Sequence, residues 1–279
     1  MSGTLYLVAT PIGNLNDISP RALEALSQAD FIAAEDTRVS LKLMNHFSIK
    51  KPMLSYHEHN HVSAGQQIVQ RLLGGESCAL VTDAGTPAIS DPGEDIVRLC
   101  AEHEIPVYSI PGCCALISAL AVSGLPTGRF TFEGFLSVNR RSRREHLASL
   151  LGEKRTMIFY EAPHKLLSTL EDLCEAFGAE RRISLSREMT KLHEQTLRTT
   201  LGGALEYFRQ TTPKGEFVLV IEGAPDTSPA LVTLEDAVRQ VLQLQEEKQL
   251  KTKDAIRQVA ADTGLAKNEL YDAVLKART

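Results

Sequence analysis

Apolar residues fall into short blocks along the first half of the chain, and the blocks alternate between two periods. Leu5-Tyr-Leu-Val-Ala9, Asp30-Phe-Ile-Ala-Ala34, Pro52 to Tyr56, Cys78-Ala-Leu-Val81 and Pro106 to Ile110 have the length and continuity of buried strands. Between them, residues from Ser19-Pro20 to Leu26, about 40–47, 63–73, 94–102 and 115–122 repeat their apolar positions at helical spacing. Ile96, Val97, Leu99 and Cys100 are one instance. Ser19 suits a helix cap, where its hydroxyl accepts an unpaired amide, and Pro20 suits the first helical position, where no amide is needed. This strand–helix alternation predicts a mostly parallel α/β sheet.

A second α/β unit starts near Thr127. Strand patterns cover Phe130 to Phe135, Thr156 to Tyr160, Ile183 to Arg187 and Phe217 to Glu222, and helical patterns cover Arg140 to Leu151, 164–177 and 201–210. Gly223-Ala-Pro-Asp-Thr-Ser-Pro229 reads as a linker. The tail from Thr233 is helical. Within it, Lys253 to Val259 and Lys267 to Leu275 flank Asp262-Thr-Gly-Leu265, a helix–turn–helix pattern with Gly264 in the turn. The expected domains are 1–124, 125–224 and 230–279.

Composition narrows the function classes. A formal net charge of -5 argues against a generally basic nucleic-acid coat and leaves room for a local basic patch. An apolar share of 43% is ample for a core, and no apolar run approaches a membrane span. Cys78, Cys100, Cys113, Cys114 and Cys174 are odd in number and contain no CxxC. With no signal peptide in view, a reducing cytoplasm is expected. The Walker-type phosphate loop, the GxGxxG dinucleotide fingerprint, the GxSxG elbow and HExxH are all missing. His57, His59 and His61 alternate, so a strand would place them on one face, but no fourth ligand accompanies them and no metal is expected. Cys113-Cys114 reads as small residues packing at a helix start rather than as a nucleophile.

Val-Thr-Asp-Ala-Gly-Thr-Pro-Ala-Ile-Ser-Asp-Pro-Gly, from Val81 to Gly93, is turn chemistry set directly behind a strand and before a helix. In a parallel sheet that is the carboxyl edge, where ligands bind. Gly85 allows backbone conformations closed to other residues and a close ligand approach, and long ordered loops are usually functional. Thr10 to Asp17 is a second loop of this kind. Glu35-Asp36 ends the second strand, and Arg38 just beyond it suits bidentate contact with phosphate; the alternative is a helix cap made by Asp36 and Thr37. Arg140, Arg141, Arg143 and Arg144 crowd a helix N-terminus, which disfavours cations, so they read as a phosphate contact. Without tryptophan and with few other aromatics, recognition by stacked single-stranded bases is limited, and contacts to shape and phosphate fit better.

Eight blocks, in order, carry a resemblance. They are Val8 to Ile18, Ala34 to Arg38, Ser55 to Asn60, the Val81–Gly93 loop, Ile110-Pro-Gly112, Tyr160-Glu-Ala-Pro-His164, Ser186 to Glu194 and Lys214 to Gly223. Together they resemble the ribosomal RNA small-subunit methyltransferase I family of the tetrapyrrole methylase-like superfamily, over nearly the whole chain. Asn16 stands where glycine is expected, and Cys113-Cys114 where small residues such as serine are usual. The resemblance implies two tandem α/β domains of tetrapyrrole methylase type, with S-adenosylmethionine in the cleft between them; the small helix-turn-helix-like C-terminal domain is read from the helical pattern of the tail. The resemblance also implies a homodimer that methylates the 2′-oxygen of a cytidine in the decoding region of small-subunit (16S) ribosomal RNA.

On this resemblance Gly85-Thr-Pro87 takes the place of the superfamily's Gly-Asp-Pro. The cofactor contacts carried over are Pro11, Ile12, Asp83, Gly85, Thr86, Ile89, Cys114, Ala115, Tyr160, Met189 and Gly215. Ile12, Ile89 and Met189 could equally be core. A ribose hydroxyl needs a base or a charge stabiliser. Strand ends offer Glu35, Asp36, Arg38, His57, Glu58 and Glu188, with Glu35 or Asp36 the expected base. Arg38, His57, Lys191 and the four arginines are expected at the RNA substrate. Two rival readings stand beside this one: a methyltransferase of a corrin-type small molecule, and a non-catalytic RNA-binding assembly protein.

Overall fold

A computed structural model describes residues 2–225, 233–248, 250–263 and 265–277. Linker positions 226–229 and Gly264 lie outside the described residues. Residues Met1–Gly223 form one compact unit and Ala224–Thr279 another.

The first unit begins with five parallel strands, β1 (Leu5–Val8), β2 (Phe31–Ala34), β3 (Met53–Ser55), β4 (Cys78–Val81) and β5 (Val107–Ile110), in the order β3-β2-β4-β1-β5. The helices α1 (Pro20–Gln28), α2 (Thr37–His46), α3 (His61–Leu73), α4 (Gly93–Glu102) and α5 (Ala115–Val122) follow the strands in turn. β2 and β4 are buried at every position, as expected of strands covered on both faces. Phe31, Tyr56, Ile68, Leu72 and Ile96 fill one side of the sheet, and Leu26, Ile32, Met44 and Val81 the other. The Ser19 hydroxyl caps α1 at the Ala22 amide, with Pro20 at the helix start.

A second five-stranded sheet follows: β6 (Phe130–Phe135), β7 (Thr156–Glu161), β8 (Arg182–Arg187), β9 (Gln195–Thr200) and β10 (Phe217–Ile221), in the order β6-β7-β10-β8-β9. Of its four strand pairs only β6–β7 is parallel; the others run antiparallel, a course for which the strand patterns of the second unit carried no expectation. Helices α6 (Arg140–Ser149), α7 (Leu166–Phe177) and α8 (Leu201–Gln210) accompany it, and its main core includes Met157, Phe159, Leu170, Leu185 and Leu219. α5 joins the two halves of this unit: Leu116, Ala119 and Leu120 pack on Ile158, Val218 and Val220.

β9 was not anticipated from the apolar pattern. It is an edge strand whose only large apolar residue is Leu197, the rest being Gln, Thr and Arg. α2 starts at Thr37, earlier than the apolar spacing suggested, because the Asp36 carboxylate accepts the Arg38 amide and caps it. The alternating histidines do not share a strand face. His57 and Asn60 bracket a turn, and His61 opens α3 with its Nδ1 2.7 Å from Asp95.

The second unit contains α9 (Leu234–Lys248), α10 (Thr252–Thr263) and α11 (Lys267–Lys276). Ala237, Val241, Ile256, Val259, Leu270 and Val274 form its own apolar core. Among the described residues no helix is long and apolar enough to cross a membrane.

Candidate functional site

The carboxyl ends of β1 and β4 lie side by side, and the loops that follow them are paired. The Thr10 amide donates to the Gly85 carbonyl at 2.9 Å, and the Gly85 amide returns to Thr10 at 3.1 Å. The buried Thr10 hydroxyl donates to the Thr82 carbonyl. Gly85 has φ 92°, a left-handed conformation that glycine adopts without steric cost. Ala88 and Ser90 also have positive φ, at 68° and 69°. Asp91 holds this part of the loop: its Oδ1 accepts the Ala88 amide at 2.9 Å and the Gly93 amide at 2.8 Å. Burial raises the Asp91 carboxyl above its ordinary pKa.

This loop forms one wall of a cavity of about 380 Å³ between the two halves of the first unit. Glu35 and Asp83 lie on the same side. Glu35 Oε2 accepts the Thr82 hydroxyl at 2.6 Å and the Asp83 amide at 3.4 Å. Asp83 accepts the Asp36 amide at 3.1 Å, and burial, with the Glu35 charge next, raises its pKa. The opposite wall comes from β7, β10 and the segment after β8: Tyr160, Glu161, Met189, Lys191, Phe217 and Val218. Tyr160 is pushed up to about 12 by burial, and its hydroxyl oxygen accepts the Leu116 amide at 3.2 Å. That bond satisfies an N–H of the first turn of α5, which has no helical partner.

The expected site residues separate in space. Ile12, Asp83, Gly85, Thr86, Ile89, Cys114, Ala115, Tyr160 and Met189 line the cavity, as do Glu35 and Lys191. Pro11, Gly215, Asp36, Arg38, His57 and the four arginines of α6 are not among its lining residues. Asp36 caps α2 and binds Arg38 Nε and Nη2 at 3.0 and 2.6 Å, and the Arg38 guanidinium holds its carboxyl well below the usual range. The His57 ring accepts the His59 amide. Arg143 pairs with Asp172 at 2.6 Å, with both side chains largely buried, whereas Arg140, Arg141 and Arg144 are exposed.

Phe135, Glu161, Glu216, Phe217 and Val218 also line the cavity and were not singled out from the sequence, and Asp91, read there only as part of the turn-rich loop, lines it too. Glu161 is 3% exposed; its Oε2 accepts the Thr169 hydroxyl at 2.6 Å and its Oε1 the Ala162 amide at 2.8 Å. The sequence signal for it was the Tyr160-Glu-Ala-Pro-His164 block itself. Six carboxylate residues line the cavity, Glu35, Asp83, Asp91, Glu161, Glu188 and Glu216, against the single basic residue Lys191. Such a lining attracts a compact organic cation with an apolar body. Away from Lys191 it repels phosphate.

Residues 4–205 match the family model described as Tetrapyrrole (Corrin/Porphyrin) Methylases, and residues 232–278 match a model described as RsmI C-terminal HTH domain. The chain is 51% identical over 275 residues to "Ribosomal RNA small subunit methyltransferase I" of Synechocystis sp., covering 98% of both chains. It is 45% identical to the protein of that name from Halalkalibacterium halodurans, covering 97% of this chain and 94% of the relative. Among solved structures, it is similar to the uroporphyrin-III C-methyltransferase of Thermus thermophilus complexed with S-adenyl homocysteine. There the TM-score is 0.51 and the identity 17%, with 78% of this chain and 97% of that one covered.

Proposed function

The chain belongs to the tetrapyrrole methylase family, within its ribosomal RNA small-subunit methyltransferase I group, and on that premise we propose that it methylates small-subunit ribosomal RNA, using S-adenosylmethionine. The acceptor is the 2′-oxygen of a cytidine in the decoding region, and the enzyme works as a cytoplasmic homodimer. The observation that carries this reading is the match over nearly the full length of relatives with that name, the C-terminal helical unit included.

The cavity fits the methyl donor. Its volume lies in the range of small-ligand sites, roughly 300–1,000 Å³. Ile12, Ile89, Tyr160 and Met189 offer apolar surface for an adenosine, and the Asp83–Asp91 loop offers backbone groups. The carboxylates complement a sulfonium and an ammonium. When bound, the donor supplies an electrophilic methyl group on a cationic sulfur. The protein's part is to bring an acceptor oxygen into line and to take its proton. Glu35 is the base in this reading: it reaches the cavity, and Thr82 fixes its carboxylate. Asp36 serves differently, by capping α2 and holding Arg38 at the edge of the site. Arg38, Arg140, Arg141 and Arg144 contact RNA phosphates outside the acidic cavity.

The test is transfer of labelled methyl from S-adenosylmethionine to unmodified small ribosomal subunits, with naked ribosomal RNA and a corrin precursor alongside. Label in the RNA at a cytidine 2′-oxygen, abolished by Glu35→Gln while the donor still binds, is the expected result. Label only in the corrin, or none despite donor binding, overturns it.

A further inference from the structure

Among the described residues, four of the six non-glycine residues with positive φ lie in the two segments that face each other across the cavity: Ala88 and Ser90 in one, Glu188 (φ 51°) and Thr190 (φ 64°) in the other. Such conformations are strained for residues with a Cβ and persist where surrounding contacts impose them. In the second segment the Thr190 amide donates to the Glu194 carboxylate at 2.7 Å and the Glu188 amide to the Glu216 carbonyl at 3.3 Å, and further contacts are made by Lys191. Its amide donates to the Glu188 carbonyl at 3.0 Å, closing the turn. Its ammonium lies 2.9 Å from Glu188 Oε1 and 3.9 Å from Glu216 Oε2.

Two glycines make room for this arrangement. A Cβ on Gly215 would crowd the Glu188 carboxylate, and Gly215 itself has φ 79°. A Cβ on Gly13, in the loop after β1, would stand 2.5 Å from Lys191 Cγ and 2.8 Å from Thr190 Oγ1. The aliphatic stem of Lys191 is therefore seated on the first half of the unit, while its head is held by carboxylates of the second. Among the described residues that line the cavity, Lys191 is also the only basic one.

We infer that Lys191 holds the phosphate next to the target ribose at the acidic cavity, and that Glu188, Gly13 and Gly215 are the residues that position it. The inference rests on the reading of the chain as an RNA methyltransferase. An RNA strand that brings a 2′-hydroxyl to Glu35 must bring its own phosphates near six carboxylate residues, and one ammonium gives one of them a place. Glu188 and Glu216 hold that ammonium in place; they do not touch the reacting atoms in this scheme.

The experiment uses the full-length protein, unmodified small subunits and labelled S-adenosylmethionine. It reads the donor Kd, the subunit KM and kcat for Lys191→Met, Lys191→Arg, Glu188→Gln and Gly13→Ala across a series of salt concentrations. Lys191→Met is expected to raise the subunit KM about tenfold and to flatten its dependence on log salt by about one phosphate's worth, leaving the donor Kd within about twofold. Lys191→Arg should recover most of the loss, and Glu188→Gln and Gly13→Ala should fall between. An unchanged donor Kd shows that each variant is folded. A loosened donor Kd with an unchanged subunit KM would overturn the inference and assign Lys191 to the cofactor wall. So would a Lys191→Arg protein as poor as Lys191→Met. A wild-type protein that methylates no subunit at all would instead sink the proposed function.

Discussion

Glu161 and Thr169 give a quantitative test of how the cavity wall is held. Thr169 is 1% exposed on α7 and its hydroxyl donates to the Glu161 carboxylate at 2.6 Å; the carboxylate's other donor is the Ala162 amide at 2.8 Å. Thr169→Val keeps the shape of the side chain and removes only that donor. A hydrogen bond to a charged group contributes about 1.5–3 kcal/mol, and here the carboxylate left behind is buried. The expected loss is about 2 kcal/mol, roughly a thirtyfold fall in the folding equilibrium. For a unit of this size that is a melting shift of about 4–8 °C. The chain has no tryptophan, so the assay is urea and thermal unfolding followed by far-ultraviolet circular dichroism. The double variant with Glu161→Gln completes the cycle and isolates the pair. A loss under about 0.5 kcal/mol, or full additivity in the cycle, would refute the claim that this bond anchors Glu161.

Arg143→Ala should cost about 3 kcal/mol in urea unfolding, because it leaves Asp172 without its partner in a largely buried pair. The triple change of Arg140, Arg141 and Arg144 to alanine should move stability little and instead weaken subunit binding, reducing its salt slope by about two. Asp91→Asn keeps both loop bonds and removes a carboxylate whose folded pKa is raised by burial. The ionised form is the costly one, so the variant should be more stable than wild type at pH 7, with the gain fading as pH falls through the folded pKa towards the unfolded one. Unfolding curves at several pH values check the sign. Tyr160→Phe should cost about 1 kcal/mol by leaving the Leu116 amide unpaired at the start of α5, with a measurable loosening of S-adenosylmethionine in calorimetry.

What the sequence made legible follows from how each feature is encoded. The parallel half was readable because its strands are continuous apolar runs and its helices repeat at helical spacing, both local signals. β9 was not, because an edge strand buries little, and Thr196, Thr199 and Thr200 carry β propensity without apolar alternation. The antiparallel course of β8 and β10 was hidden for another reason: buried strands look alike whichever way their neighbours run. At the site, turn chemistry marked the Val81–Gly93 loop correctly as a loop between strand and helix, yet roles within motifs depended on tertiary partners. Glu35 and Asp36 are adjacent carboxylates with equal claims in sequence; one meets Thr82 at the cavity and the other is spent on a helix cap and Arg38. The arginine run divides the same way, since only Arg143 finds a largely buried acid on α7. Adjacent residues of a helix start or a strand end point in different directions, so a cluster of like residues is a set of candidates rather than a site. The choice among them belongs to the elements packed opposite, and the Arg143 and triple-arginine variants measure that choice directly, one by stability and the other by binding.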